Sequence, residues 1–229
     1  MEEVTIIIPV KDEEDGLQYL FDDFQNSNLE KDFEISFIFV IDERTSDNSR
    51  EIALSFSDMI VNQQGTHGKG AAVRQAIGLW KENITPKIVF LDADGSYSFQ
   101  SVRKIIEALD GGSDIVSGSR FLLRRGIPNG MSKLHFFGNR FLSMASSARN
   151  RRKISDLCTG LWGFTSDSLE QIEFKSNGFD LEAELAGISR KKKLLHSEIP
   201  VDWSQRKGGF SKLRSLTEGF RIFLRIIMT

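Results

Sequence analysis

Short apolar runs alternate with segments of helical periodicity across residues 4–120 of this 229-residue chain. The runs at 4–10, 35–41, 88–91 and 114–120 are rich in β-branched or aromatic residues, which favours buried strands. Between them, apolar residues recur at a spacing of three or four, which favours helices. Helices are predicted near residues 17–24 and 50–57, up to residue 81, and at 99–109. Strands alternating with helices predict an α/β fold with a mostly parallel sheet flanked by helices.

Two carboxylates, Asp92 and Asp94, follow the apolar run at 88–91 directly. Residues at i and i+2 of an extended chain point to the same side, so the two carboxylates would repel each other. A divalent cation removes that cost, since hard oxygen ligands suit Mg²⁺ or Mn²⁺. The pair therefore indicates a metal–diphosphate site at the carboxyl end of a central strand, where open α/β sheets bind ligands. The alternative is a polar turn after a strand.

A glycine-rich turn at residues 65–70 opens one of the predicted helices. The start of a helix presents free N–H groups and a positive dipole end, which suit an anion. The spacing of a Walker A motif is absent. Lys69 is therefore either a residue that binds an anionic ligand or a solvated residue of an ordinary turn, and His67 is expected to be an exposed loop histidine.

The overall composition excludes several classes of protein. A formal net charge of −2 gives no indication of a nucleic-acid partner. The single cysteine, Cys158, cannot form an internal disulfide, and this favours a reducing compartment. No window approaches 18 consecutive apolar residues, so no transmembrane helix is expected. The acidic N-terminus lacks the basic region of a secretory signal.

Residues 119–153 contain nine basic residues and no acidic one, in a protein of near-zero net charge. Phenylalanine and leucine are interleaved with these basic residues. The pattern predicts a basic amphipathic segment that suits a membrane surface or an anionic partner. The alternative is a helix packed on the domain with a solvated basic face.

Residues 178–203 carry three further expectations. Glu182 and Glu184 lie two apart on a predicted helix and cannot share one face, so at most one points at a site. Residues 195–203 alternate in polarity and predict an edge strand, with which Pro200 is consistent. His196 is expected on the surface of that strand.

Seven short motifs, in their order and spacing, resemble those of the family 2 glycosyltransferases. The most similar members are the polyprenol-phosphate hexose synthases, which include dolichol-phosphate mannose synthase. The resemblance covers nearly the whole chain. The motifs are Pro9–Glu13, Ile41–Asp47, Asp92–Asp94, Gly118–Arg120, Ser155–Leu157, Glu198–Pro200, and Arg206 with Lys212 in Ser211–Leu213.

The resemblance implies a GT-A fold in a single domain, with a nucleotide-sugar-binding half at 1–120 and an acceptor-side half at 121–229. It implies inverting transfer of a hexose from GDP-mannose or a UDP-sugar to a polyprenyl or dolichyl phosphate. Two alternatives remain open. One is a family 2 enzyme that acts on a hydroxyl acceptor, and the other is a non-catalytic nucleotide-binding module that docks on membranes. A nucleotidyltransferase is disfavoured, since its glycine-rich first loop is absent.

The resemblance also implies roles for individual residues. Asp92 and Asp94 would hold Mg²⁺ or Mn²⁺, with Ser96 as a weaker third ligand. Asp156 would be the base if the acceptor is a hydroxyl. The donor phosphates would be closed over by Arg206 and Lys212, helped by Arg120. The remaining donor-binding residues would be Pro9, Lys11, Glu13, Ile41, Glu43, Lys69 and Ala93.

Two departures from the family pattern lie in the base and ribose pocket. Lys11 replaces an aromatic residue, and Glu43–Arg44 replaces Asp-Gly, so the identity of the nucleotide stays open. A lipid acceptor would require the enzyme to reach a bilayer. We therefore expect a cytoplasmic protein that is peripheral at the cytoplasmic membrane face. It would attach through residues 119–153 and the apolar stripe of a terminal helix at 213–229.

Overall fold

The computed structural model describes residues 1–57, 59–123, 126–208 and 215–229. The strands of this part of the chain are β1 Glu2–Val10, β2 Phe33–Asp42, β3 Ile60–Gln63, β4 Lys87–Phe90, β5 Ile115–Ser119, β6 Trp162–Thr165 and β7 His196–Pro200. The helices are α1 Glu14–Ser27, α2 Ser49–Leu54, α3 Lys69–Trp80, α4 Phe99–Asp110, α5 Lys133–Asn150, α6 Ser166–Glu170, α7 Leu181–Lys191 and α8 Ser215–Met228, with a 3₁₀ turn at Leu29–Lys31.

The strands form one sheet in the order β3-β2-β1-β4-β6-β5-β7. β1 pairs in parallel with β2 and β4, with Ile7 opposite Ile38 and Phe90. β6 is antiparallel to both β4 and β5. β7 lies at the edge of the sheet, as predicted. The predicted mostly parallel α/β sheet is therefore confirmed.

β6 was not predicted as a strand, and its Trp162 and Phe164 are buried in the core. Its four residues are too few to show a period. Gly163 interrupts the apolar run, because the sheet packs closely on α4 at this point. A Cβ at residue 163 would lie 2.2 Å from a methyl carbon of Ile105.

Two apolar clusters cover the two faces of the sheet. One joins the sheet to α3, α7 and α8, and the other joins it to α1 and α4. The second cluster accounts for part of the 18 phenylalanines of the chain, because five rings meet there at centroid distances of 4.9–6.1 Å. Aromatic pairs at such distances contribute about 0.5–1.5 kcal/mol each beyond burial. The five residues are Phe21, Phe24, Phe37, Phe39 and Phe99.

The predicted helix boundaries agree with the structure to within a few residues. The helix predicted at 99–109 is α4, Phe99–Asp110, where the Ser98 side chain caps the N-terminus by accepting from the Ser101 N–H. The helix predicted up to residue 81 ends at Trp80. The predicted terminal helix is α8, and its expected first residue, Leu213, lies outside the described residues.

Candidate active site

The carboxyl ends of β1, β2 and β4 meet at one edge of the sheet, because the three strands are parallel neighbours. The loop after β4 carries Asp92 and Asp94 and fits between two glycines. A Cβ at Gly16 would lie 2.3 Å from the carbonyl oxygen of Ala93, and a Cβ at Gly160 would lie 1.7 Å from Asp92 Oδ2. This close packing fixes where the two carboxylates lie.

Asp94 and Ser96 lie together in this loop. Gly95, with φ of +69°, turns the chain so that the Ser96 N–H donates to Asp94 Oδ1 at 3.0 Å. Both residues line a cavity of about 690 Å³, together with Asp92, Arg120 and Arg206. The structure therefore brings the predicted metal-binding residues and both of the arginines predicted to bind phosphate to one cavity.

The carboxylates of this cavity fit a hard divalent cation. Mg²⁺ usually takes one or two protein carboxylates and completes its coordination with water and substrate phosphate. Within the described ranges, no three His, Cys, Asp or Glu side chains form a metal cluster. The protein would thus supply Asp92 and Asp94, and a bound diphosphate would supply further oxygens.

Lys69 is the partner of Asp92. Its Nζ lies 2.6 Å from Asp92 Oδ1 and 2.7 Å from Glu182 Oε1. Burial lowers the pKa of Lys69, but the two carboxylates outweigh burial and the net shift is upward. Burial raises the pKa of Asp92 and of Glu182, and Lys69 offsets this only in part. Lys69 is therefore a buried cation at the site, and the alternative of a solvated lysine is wrong.

The prediction that backbone N–H groups at the start of α3 bind an anion is wrong, because residues 176–178 cover that helix start. The Ala71 N–H donates to the Asn177 carbonyl at 3.1 Å. A Cβ at Gly70 would lie 2.3 Å from the Ser176 carbonyl oxygen. Lys69 thus reaches the cavity region through its side chain.

Arg206 closes one side of the cavity. Its Nη2 donates to Glu13 Oε2 at 2.5 Å, and its Nη1 lies 4.0 Å from Asp94 Oδ2. The backbone on either side is tied to the loop after β4, since the Lys207 N–H donates to the Asp94 carbonyl and the Ser204 N–H to the Ser96 carbonyl, each at 3.0 Å. Lys212, the other predicted cation of this loop, lies outside the described residues.

Arg120 and Asp156 form a buried pair. The guanidinium donates two hydrogen bonds to the carboxylate at 2.7 Å, and the Arg120 N–H adds a third at 2.9 Å. Asn139 Nδ2 donates a fourth at 2.6 Å. A hydroxyl would have to displace one of these bonds to give Asp156 its proton. The geometry therefore favours a structural role over the predicted base.

The residues predicted to line the base and ribose lie at the ends of β1 and β2. Pro9 pairs with Val40, and Ile41 with Val10, so Lys11 and Glu43 leave the sheet at the same edge. The Glu13 N–H donates to Ser49 Oγ at 2.8 Å.

Arg44, a departure from the family pattern, neutralises the carboxylate at the end of β2. Its guanidinium donates to both Asp42 oxygens at 2.8 and 2.6 Å, and this lowers the pKa of Asp42 to about 2. His67 was expected to be exposed, but it is partly buried with Nε2 3.2 Å from Glu43 Oε1. The loop before α3 folds back onto β2, which sequence periodicity does not reveal.

Two expectations about α7 and β7 have different outcomes. Glu182 reaches Lys69, whereas Glu184 accepts from the Ser176 N–H at 2.7 Å, so the prediction that they face different ways is confirmed. His196 is partly buried against β5 and β6 and does not lie open on the surface. It contacts Ser117 Oγ at 2.8 Å and Arg152 Nη2 at 2.6 Å, and burial lowers its pKa.

The far end of the cavity lies between α5 and α8 and is apolar. Leu142 and Ile222 are buried against the domain, whereas Phe141 and Phe220 line the cavity and stay more than half exposed. Along α8 the predicted apolar stripe is largely exposed at Leu216, Phe220, Leu224 and Ile227, because Ile222 and Ile226 turn inward instead. Within the described ranges, no helix combines the length and apolar character needed to cross a membrane.

Comparison with known proteins identifies the family. Residues 5–173 match the profile described as Glycosyl transferase family 2. Glycosyltransferase AglJ of Haloferax volcanii is 29% identical, over 97% of this chain and 70% of that protein. The dolichol-phosphate mannosyltransferase of Pyrococcus furiosus is 26% identical, over 93% of this chain and 60% of that protein.

Solved structures support the same fold. Glucosyl-3-phosphoglycerate synthase from Mycobacterium tuberculosis, in complex with Mn²⁺, uridine diphosphate and phosphoglyceric acid, superposes with a TM-score of 0.73 at 14% identity. The match covers 99% of this chain and 76% of that one. Mannosyl-3-phosphoglycerate synthase from Rubrobacter xylanophilus gives 0.74 at 15% identity, covering 99% and 72%. The chain therefore belongs to glycosyl transferase family 2 and is a glycosyltransferase with a GT-A fold.

Proposed function

We propose that this enzyme transfers a hexose from a nucleotide sugar to a polyprenyl phosphate. The observation that carries the proposal is the shape of the cavity. One end lies at Asp92 and Asp94, and the other opens between α5 and α8 among Phe141, Leu216 and Phe220. An acceptor with an anionic head and an apolar tail fits such a cavity. The relative from Pyrococcus furiosus is a dolichol-phosphate mannosyltransferase, which agrees with this choice.

The charged end would bind the donor. Asp92 and Asp94, with Ser96 beside them, would hold Mg²⁺ or Mn²⁺, which as a Lewis acid offsets the charge of the leaving nucleoside diphosphate. Arg206, which lies between Glu13 and Asp94, would bind a phosphate of the same group. Pro9, Lys11, Ile41 and Glu43 would contact the base and ribose. The sugar would transfer with inversion.

The acceptor would need no general base. The second pKa of a phosphomonoester is about 6, so a lipid phosphate is largely ionised at neutral pH and its oxygen is already nucleophilic. The four hydrogen bonds that hold Asp156 are consistent with this. Arg120 lines the same cavity, and guanidinium N–H groups that do not contact Asp156 would be available to a phosphate there.

We further propose that the α5–α8 surface docks on a membrane from the cytoplasmic side. Phe137, Phe141 and Met144 of α5 are more than half exposed, as are Leu216 and Phe220 of α8. Contiguous exposed apolar patches of this kind mark interaction sites. Exposed basic residues lie beside them on the same helices, and each contributes roughly 1 kcal/mol near an anionic surface. They include Lys133, Arg140, Arg149 and Arg221.

The test is a transfer assay with the purified chain and Mn²⁺. GDP-mannose, UDP-glucose and UDP-N-acetylglucosamine are each offered with a short-chain polyprenyl phosphate, with 3-phosphoglycerate or with a free sugar. We expect product with the polyprenyl phosphate and one of the donors. Product only with 3-phosphoglycerate or the sugar would instead identify a water-soluble acceptor. If no pair gives either transfer or donor hydrolysis, that result would favour a non-catalytic binding module.

Membrane docking is tested by co-sedimentation with vesicles. Binding to vesicles that contain an anionic lipid, weakening as salt is raised, is the expected result. A Phe137→Ser, Phe220→Ser double variant should bind less, whereas Leu54→Ser, at an exposed apolar residue of α2, should not change binding. Absence of binding at low salt would contradict the docking proposal without affecting the transferase proposal.

A further inference from the structure

A single buried ammonium group joins a cavity-lining carboxylate to one that lies deeper in the protein. Lys69 Nζ is 2.6 Å from Asp92 and 2.7 Å from Glu182. Asp92 lines the cavity, whereas the Glu182 side chain is 6% exposed in the first turn of α7. Glu182 is therefore connected to the candidate metal site through Lys69.

The charges of Lys69, Asp92 and Glu182 do not sum to zero when both carboxyl groups are ionised. Lys69 and Asp92 alone would form a neutral pair, and burying a further ionised group is costly unless it gains a comparable interaction. With Glu182 ionised, the group carries one excess negative charge, next to the further carboxylate of Asp94. This excess favours a bound cation at the cavity.

The contact of Lys69 with Glu182 also weakens its interaction with Asp92. An ammonium that contacts two carboxylates neutralises each less completely than it would neutralise one. Glu182 therefore leaves part of the negative charge of Asp92 available to a metal, and it fixes the position of Lys69 from the opposite side. Without Glu182, Lys69 would pair with Asp92 alone and compete with the metal directly.

We propose that Glu182 is a positioning residue for the metal site, acting through Lys69 on Asp92. This inference rests on the proposed function, in which Asp92 and Asp94 hold Mg²⁺ or Mn²⁺. Glu184 provides a matched control on the same helix. It is buried to a similar degree, but its carboxylate accepts from the N–H groups of Lys175 and Ser176.

The experiment measures Mn²⁺ binding to the full chain by the electron paramagnetic resonance signal of free Mn²⁺, with and without GDP or UDP. Residues that orient a metal ligand typically change affinity by 10–100-fold, so we expect Glu182→Gln to raise the Kd for Mn²⁺ about tenfold. Glu184→Gln should leave the Kd unchanged. Circular dichroism and thermal unfolding confirm the fold, and Glu182→Asp, expected to show a smaller rise, serves if Glu182→Gln does not fold.

A double-mutant cycle tests whether Lys69 transmits the effect. In a Lys69→Met background, Glu182→Gln should have no further effect on the Kd, because the group through which it acts is gone. An equal effect in both backgrounds, or an unchanged Kd in Glu182→Gln alone, would overturn the inference. If the wild-type chain binds no Mn²⁺ under any of these conditions, the metal site of the proposed function fails as well.

Discussion

The two ends of the cavity are built from different kinds of contact. The strand end is the end that lies at Asp92 and Asp94, beside the carboxyl ends of the parallel strands. There, charged side chains contact one another at short distances, as in Lys69 with Asp92 at 2.6 Å and Arg206 with Glu13 at 2.5 Å. At the helix end, which lies between α5 and α8, the contacts are apolar, such as the stacked rings of Phe141 and Phe223 at 5.8 Å. The first end has directional bonds and buried charge, and the second has exposed apolar area.

This difference agrees with the different roles that we propose for the two ends. Charge that develops on a leaving group is stabilised by fixed, preorganised partners, and such partners are found at the strand end. An apolar surface without directional bonds contributes affinity in proportion to the area it buries. Substitutions at the strand end should therefore change the rate or donor binding, and those at the helix end should change acceptor or membrane binding and leave donor binding unaltered.

The largest effect is expected from Asp94→Asn. The amide has nearly the same shape but no charge, so kcat should fall by about a hundredfold or more, the size of losing one preorganised electrostatic group. The thermal midpoint should change little. The assay is steady-state transfer, with Asp202→Asn as a control at an exposed carboxylate. Wild-type turnover and metal dependence in Asp94→Asn would mean that the strand end is not the reaction centre.

Arg206→Ala should have the next largest effect, on donor binding. Hydrogen bonds to charged groups contribute about 1.5–3 kcal/mol, so KM for the nucleotide sugar should rise about tenfold or more. Lys207→Ala is the matched control, because the contact of residue 207 with Asp94 is made by the backbone. Lys212→Ala tests the prediction that Lys212 also binds the donor phosphates. An unchanged donor KM in both Arg206→Ala and Lys212→Ala would contradict phosphate binding by these two residues.

Phe220→Ser tests the proposed role of the helix end in acceptor binding. Losing part of an aromatic contact costs about 1 kcal/mol, so KM for a polyprenyl phosphate should rise about fivefold. The donor KM and kcat should stay as in the wild type. Leu54→Ser controls for loss of an exposed apolar side chain elsewhere. A change in donor KM would show that the two ends do not act independently.

The smallest effect is expected from Arg44→Ala, measured as stability against pH. Arg44 lowers the pKa of Asp42 from an ordinary 3.8 to about 2. A lowered carboxyl pKa stabilises the folded state fully above the ordinary value, and this stabilisation is lost as pH falls through the folded value. The wild type should be more stable than the variant at pH 7, and the difference should disappear near pH 2. A difference independent of pH would mean that Arg44 acts by packing alone.

Sequence reasoning found Asp92 and Asp94 because their signal is local. An apolar run, two carboxylates and a glycine identify a strand end without further context. Glu182 is different, since helix geometry predicts only that Glu182 and Glu184 face different ways. Which of them reaches Lys69 depends on how α7 packs against α3. The roles assigned to individual residues, including those of Asp92 and Asp94, stay predictions, as does the division of the domain at residue 120.

The sequence by itself determined the alternation of strands and helices, the parallel sheet and the carboxylates at its edge, since each depends on residues close together in the chain. Only the tertiary structure decided the pairing of Arg120 with Asp156, the partial burial of His196 and the antiparallel β6. These depend on contacts between residues far apart in the chain, and neither periodicity nor spacing encodes which partner a side chain meets. The same holds for α8, where packing buries Ile222 and Ile226 and leaves the more obvious apolar stripe facing outward.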